Sequence, residues 1–199
     1  MKIVNRNHVF VLFMWVLAGS AHAHAGHGAF SFFEGVSHPF GWDHLLAMIA
    51  VGMWSVLALP VRQAAIGPVI FLLMMLTGAL IGMAGGGVAN LEIMMAVSVL
   101  LLAVMLMVPL LSTSRAAKGL GLGVVATAAL LHGLAHGMEA PADQASGYVL
   151  GFVFATAALH SVGILTAVCA RRVWSARVAS LMLGTAMGGA GVCLLGQFV

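Results

Sequence analysis

The chain has 199 residues, of which 62% are hydrophobic and only 7% are charged, and its mean hydropathy is +1.12. A soluble domain of this composition would expose a vast apolar surface, so the composition predicts an all-α integral membrane protein. Eight Lys and Arg stand against five Asp and Glu, a formal net charge of +3. This balance offers no basic patch for phosphate, so we expect no nucleic-acid partner.

The first 23 residues have the pattern of a secretory signal peptide. Lys2 and Arg6 form a basic beginning, 9–19 is apolar, and 21–23 is a small-x-small cleavage site. Cleavage would make His24 the first mature residue and implies a bacterial inner membrane with the mature N-terminus outside. The alternative is an uncleaved anchor, although an apolar core of about 11 residues is short for a span.

Residues 24–38 are predicted to be a periplasmic tail that leads into the membrane. The α-amine and imidazole of His24 would form a bidentate chelate, with His27 three residues further on. Histidine-rich tracts also bind metals incidentally, so capture of an ion here and incidental binding stay open. The apolar stretch 29–36 is expected to lie at the membrane interface.

Six apolar segments of spanning length follow, and they predict six transmembrane helices within a domain at 39–199. Each is close to the ~20 residues that cross ~30 Å of hydrocarbon. Their approximate limits are 39–59, 64–83, 91–111, 119–137, 147–170 and 178–199.

Charge distribution gives an independent orientation, because cytoplasmic loops are enriched in Lys and Arg. With an outside N-terminus, the inside loops are 60–63, 112–118 and 171–177, and they hold all six basic residues left after signal removal. The acidic residues fall at or near the other side. Both termini of the mature chain are therefore predicted to be periplasmic.

Small residues and topology add two expectations. Glycines at i, i+4 spacing, such as Gly78 with Gly82 and Gly184 with Gly188, favour close helix packing. Such faces also allow an oligomer. The first and fourth spans run in opposite directions and each carries histidines near its outer end, a pattern compatible with a three-plus-three inverted repeat.

Ionisable residues at the edges of the first and fourth spans form the candidate site. Pro39 is expected to begin the first helix, which places Asp43 and His44 in its second turn. In the fourth span, His132 and His136 are four residues apart and share one face. Glu139 adds an oxygen at the rim. Imidazole with carboxylate predicts a divalent transition metal, and the alternative is an interhelical hydrogen-bond network.

Two further residues have open interpretations. His160, near the middle of the fifth span, is either a deeper ligand or a packing residue bonded to Thr156 or Ser161. Glu92 is either a ligand or an acidic residue that favours a helix N-terminus beside Asn90.

The segment from His38 to Met48, His-Pro-Phe-Gly-Trp-Asp-His-Leu-Leu-Ala-Met, resembles the signature of the HupE/UreJ family of nickel and cobalt permeases. The segments 132–139 and 151–160 are also similar to that family, and the likeness extends over nearly the whole mature chain. It implies secondary uptake of Ni²⁺ or Co²⁺ as the transported ion, with no prosthetic group.

The family's important residues correspond to His38, Asp43, Glu92, His136 and Glu139, with His44 in the same motif. The family pattern has one more residue between Pro and Asp than this chain. On a helix, that difference turns His38 by about 100° relative to Asp43.

Three functions of different classes are compatible with the residues. A metal permease agrees with the site and with the resemblance. An intramembrane zinc hydrolase would use the same ligands with an open water position, although the predicted outer loops are short and offer no dedicated substrate-binding domain. A bis-histidine haem protein is the third, and visible absorbance would identify it.

Overall fold

The structure, a computed structural model, describes residues 31–140 and 145–198. This part of the chain forms helices and contains no strand, so the all-α prediction is confirmed for it. The α-helices are α1 (Ser31–Ser37), α2 (Trp42–Ala58), α3 (Ile66–Met83), α4 (Leu91–Met107), α5 (Arg115–Glu139), α6 (Ala145–Val173) and α7 (Ala176–Leu195).

Five of the described helices, α3 to α7, are long and apolar enough to cross a membrane, judged by length and composition. The apolar helix α2 is shorter, at 17 residues. Large apolar side chains such as Leu80, Phe154 and Leu165 lie exposed on the outer faces of these helices. In a bilayer those side chains contact lipid, which explains why they are not buried. That the chain crosses the membrane six times, with α2 in addition to these five helices, stays a prediction.

The first long helix begins later than the sequence predicted. Pro39 lies in a 3₁₀ turn, His38–Phe40, and α2 begins at Trp42 with Gly41 as its N-cap. The prediction of a helix start at Pro39 is therefore wrong, because the fixed φ of proline also suits a 3₁₀ turn. Asp43 consequently lies in the first turn of α2 and not in the second.

Helices α5 and α6 are longer than the apolar segments that predicted them. The Ser114 side chain caps α5 by accepting a hydrogen bond from the Ala117 amide. The Ser175 side chain caps α7 in the same way through the Val178 amide. Polar first turns are helical without being apolar, so hydropathy alone placed the beginnings of α5 and α7 too far along the chain.

Helices α3 and α5 pack with their backbones in contact. A Cβ atom added to Gly133 would overlap the Met75 carbonyl oxygen, and Gly137 meets α3 one turn further along in the same way. Gly78 and Gly82 make the reciprocal contacts with the backbone of α5. Glycine at all four positions lets the two helices approach this closely.

Helices α2 and α6 form a second close pair. At their crossing, Gly52 and Gly163 face each other, and a Cβ atom on either would overlap backbone of the other helix. Further along, the Arg171 guanidinium donates a hydrogen bond to the Val56 carbonyl at 3.1 Å. These two contacts show that α2 and α6 run in the same direction.

The two ends of the bundle carry opposite charge. Trp54 packs against Gly121, which brings the end of α2 beside the beginning of α5, and Val108 at the end of α4 lines the same cavity as Trp54. The end of the bundle at which α2 and α4 end and α5 begins is here called the arginine end. It holds the described basic residues Arg62, Arg115, Lys118, Arg171, Arg172 and Arg177. The opposite, carboxylate end holds Glu34, Asp43, Glu92 and Glu139. The predicted separation of charge to two ends is therefore confirmed for the described residues.

Candidate metal-binding site

The glycine contacts between α3 and α5 set the direction of two histidines. Gly133 directly follows His132, and Gly137 directly follows His136. Neighbouring residues on a helix point about 100° apart. Because the glycines press against α3, both imidazoles turn toward the interior of the bundle, where each is fully buried.

Three imidazoles meet at the carboxylate end. The His44 ring on α2 lies 4.8 Å from the His132 ring and 4.6 Å from the His136 ring, centroid to centroid, in edge-to-face contact. The exposed fraction of His44 is 7%, and that of each of the other two is 0%. The structure therefore brings together three of the predicted ligands on two helices.

Asp43 orients the His44 imidazole. Its Oδ1 accepts a hydrogen bond from Nδ1 of His44 at 2.8 Å and a second one from the His44 backbone amide at 2.9 Å. A carboxylate only accepts, so Nδ1 of His44 carries a hydrogen and Nε2 points away from Asp43. A carboxylate that holds a histidine in this way is a common arrangement behind metal-binding imidazoles.

The His132 ring is fixed in the same tautomer by its own helix. Its Nδ1 donates to the Ala128 carbonyl, one turn earlier on α5, at 2.9 Å. The lone pair is therefore on Nε2, which is buried and has no hydrogen-bond partner among the described residues. Burying such a group unpaired costs free energy, so it marks a position where a ligand would be stabilised.

The third imidazole stacks on a residue that the sequence did not single out. The rings of His136 and Phe152 are parallel, with centroids 4.8 Å apart and an interplanar angle of 5°. Phe152 lies on α6 and is fully buried. An aromatic residue in an apolar span gives no distinctive signal in the sequence. For Phe152, the one indication of a helix contact is that it directly follows Gly151.

Three other predicted ligands, Glu139, Glu92 and His160, lie at other positions along the helices. Glu139 is exposed at the last residue of α5, three positions after His136. Glu92 is exposed in the first turn of α4, and Asn90 before it has a left-handed backbone and makes no side-chain capping bond. His160 is buried further along α6.

The structure says less about the candidate ligands near the N-terminus. His38 begins the 3₁₀ turn before α2. His24, His27 and the signal sequence lie outside the described residues. Their roles as ligands stay predictions.

The cluster is packed in a form that does not itself coordinate an ion. Within 31–140 and 145–198, no group of three or more His, Cys, Asp or Glu side chains has the geometry to hold a metal. The imidazoles contact each other edge to face, and Asp43 is engaged with His44.

The fold and the cluster together define a multi-pass membrane protein with buried histidines and a half-buried carboxylate at one end of a helical bundle. Residues 12–194 match the family described as HupE / UreJ protein. The chain is also 38% identical over 151 residues to "Protein HupE" of Rhizobium leguminosarum bv. viciae, with 74% of this chain and 76% of that protein covered. No solved structure matches the chain.

The chain belongs to the HupE/UreJ family. Members of this family are permeases and not enzymes. Their general activity is the transport of nickel and cobalt. The resemblance inferred from the sequence motifs is confirmed by the extent of the family match.

Proposed function

We propose that the protein imports Ni²⁺, Co²⁺ or both across the bacterial inner membrane through a His, Asp and Glu site at the carboxylate end. The observation that carries this proposal is the contact of three buried imidazoles, His44, His132 and His136, one of them held by the Asp43 carboxylate. Membership of a family of metal permeases supports the same function.

The chemistry of the cluster suits a divalent transition metal. Imidazole nitrogen binds nickel well, and its affinity for such ions follows their general order of stability. The N-terminus of α2 carries partial positive charge that would repel a cation, and the Asp43 carboxylate in the first turn offsets it. A hydrated ion would exchange its water for these ligands, with Glu92, Glu139 and His38 as candidate ligands at the rim.

In this proposal the chain crosses the membrane six times, with α2 to α7 as the spans. A signal peptide precedes them and is cleaved after Ala23. The arginine end lies in the cytoplasm and the carboxylate end in the periplasm, because basic residues are retained on the cytoplasmic side. The mature termini are then periplasmic. The opposite directions of α2 and α5 support a three-plus-three repeat. The open helix face at Gly119 and Gly123 is a candidate surface for an oligomer.

The mature N-terminal tail is proposed to collect the ion before transport. After cleavage, His24 would offer its α-amine and imidazole together, and His27 would be close in sequence. Helix α1 follows this tail and, with its exposed Phe32 and Phe33, would lie at the membrane interface.

Whole-cell uptake of radiolabelled Ni²⁺ and Co²⁺ tests the proposal, with each metal used as competitor of the other. Asp43→Asn and His136→Ala are each expected to abolish accumulation while the protein remains in the membrane at the wild-type level. Wild-type accumulation in both variants would overturn the proposal. Metal-dependent cleavage of lipid or peptide by the purified protein, without metal flux, would instead favour a hydrolase.

A further inference from the structure

His160 is a buried imidazole that the cluster at the carboxylate end does not include. Its exposed fraction is 1%, and neither ring nitrogen has a hydrogen-bond partner among the described residues. The neighbouring hydroxyls donate to other groups: Ser161 donates to the Ala157 carbonyl, and Thr156 donates to Met75. The Thr156 backbone carbonyl, one turn earlier on α6, lies close to the ring.

Neither the Thr156 hydroxyl nor the Ser161 hydroxyl donates to the His160 ring. A polar ring in an apolar interior costs free energy when no partner satisfies it. Leucine would fill the same space without that cost. The buried imidazole is therefore a candidate ligand.

Other potential ligand atoms lie one helical turn from His160 and from the Phe71 ring that it contacts. On α6, Thr156 precedes it by one turn, and the Thr156 hydroxyl lies 3.6 Å from the Met75 sulfur on α3. One turn away from Met75 on α3, the Phe71 ring contacts the His160 ring edge to face, with centroids 4.9 Å apart. All four side chains are buried. A nitrogen, a thioether sulfur and a hydroxyl oxygen are thus placed in adjacent turns of two facing helices.

The position of His160 continues the line of the cluster toward the arginine end. Phe152, which stacks on His136, and then Thr156 and His160 follow each other at intervals of four residues on α6. Eight residues of helix correspond to about 12 Å along the axis. The Phe71 ring lies between the two levels, with its centroid 6.3 Å from that of His132 and 4.9 Å from that of His160.

We propose that His160 is the principal ligand of an inner transit site for the transported cation, with the Met75 thioether and the Thr156 hydroxyl as weaker partners. This inference rests on the proposed function, in which a divalent transition metal enters through the cluster. The ion would leave His132, pass the Phe71 ring and bind a nitrogen of His160 before release at the arginine end.

The ligands of the inner site differ from those of the cluster in charge. Imidazole, thioether and hydroxyl are neutral, whereas the cluster contains the Asp43 carboxylate. Conduction requires each site to bind an ion strongly enough for it to enter and weakly enough for it to leave. A neutral inner site holds the cation less strongly than the cluster, which lets the ion move on.

Purified full-length protein, compared in equilibrium Ni²⁺ binding and in Ni²⁺ flux into proteoliposomes, separates the two sites. His160→Leu fills the same space and is expected to slow flux by about tenfold or more, in line with the loss of a metal ligand. Its Ni²⁺ dissociation constant is expected to stay within about twofold of wild type, because the cluster is intact. Ser161→Ala, one residue away and exposed, is the matched control with unchanged flux.

Wild-type flux in His160→Leu would overturn the inner site and leave the proposed function standing. Loss of both flux and Ni²⁺ binding in a folded variant would also overturn it, because His160 would then belong to the cluster. Absence of flux in the wild-type protein would instead count against the proposed function itself.

If His160→Leu does not fold, Met75→Leu provides the same test, because this exchange nearly conserves volume. It is expected to slow flux by about threefold with Ni²⁺ binding unchanged, since a weaker partner of the ion is lost. Unchanged flux in a folded Met75→Leu protein would then overturn the inner site.

Discussion

Oδ1 of Asp43 lies 2.8 Å from Nδ1 of His44, the next residue in the chain, and so fixes both the tautomer and the direction of that imidazole. The same oxygen accepts the His44 backbone amide. A carboxylate in the first turn of a helix thereby serves two purposes, because it also offsets the positive end of the helix where a cation would bind.

The Asp43 carboxylate is predicted to contribute to metal affinity through both effects. Asp43→Asn keeps an acceptor oxygen but removes the charge, so the Ni²⁺ dissociation constant of the purified protein should rise by about 10-fold to 100-fold. Glu34→Gln is the control, because it removes one negative charge from the same end of the bundle at an exposed position. Equal dissociation constants for Asp43→Asn and wild type would show that Asp43 is not part of the site.

The stacking of His136 on Phe152 is predicted to hold that imidazole in place. Phe152→Leu removes the stacked ring, which is worth about 0.5–1.5 kcal/mol, and should raise the KM for Ni²⁺ uptake by about twofold to tenfold. Phe154→Leu, two residues further on and 62% exposed, should leave KM unchanged. The role assigned to the stacking would be refuted by equal KM values for the two variants.

Close packing of α3 on α5 is predicted to be necessary for both stability and uptake. Gly133→Ala would place a methyl group against the Met75 carbonyl, at a cost of about 1–3 kcal/mol, and should lower the thermal unfolding midpoint together with Ni²⁺ uptake. Gly189→Ala on α7 is the control, since nothing lies within 4 Å of its added Cβ atom. A Gly133→Ala protein as stable and active as Gly189→Ala would contradict this account.

Membrane orientation is predicted to place the arginine end in the cytoplasm. In a background with Cys169→Ala and Cys193→Ala, Asn90→Cys should react with an impermeant thiol reagent in intact spheroplasts. Gln63→Cys should react only after the membrane is permeabilised. Both positions are exposed at opposite ends of the bundle, so the reverse labelling pattern would establish the opposite orientation.

Hydropathy and charge were sufficient to predict a helical membrane protein and the end of the bundle at which each described charged residue lies. They also brought Asp43, His44, His132 and His136 to one end of the bundle, since the first two begin α2 and the other two lie toward the end of the oppositely directed α5. The start of α2 was predicted wrongly, because Pro39 fits a 3₁₀ turn as well as the first turn of an α-helix.

Helix pairing could not be predicted from the sequence. Many glycines have suitable spacing, and only the structure shows that Gly78 and Gly82 face Gly133 and Gly137. Phe152 was missed for a related reason: aromatic rings are common in apolar spans, and their contacts depend on which helices are neighbours.

Ni²⁺ influx into proteoliposomes that contain the purified protein tests the central claim most directly. Wild-type protein should admit Ni²⁺ well above empty vesicles, and a folded protein with both His44→Ala and His136→Ala should not exceed the empty-vesicle level. Influx by the doubly substituted protein equal to that of wild type would contradict transport through the imidazole cluster.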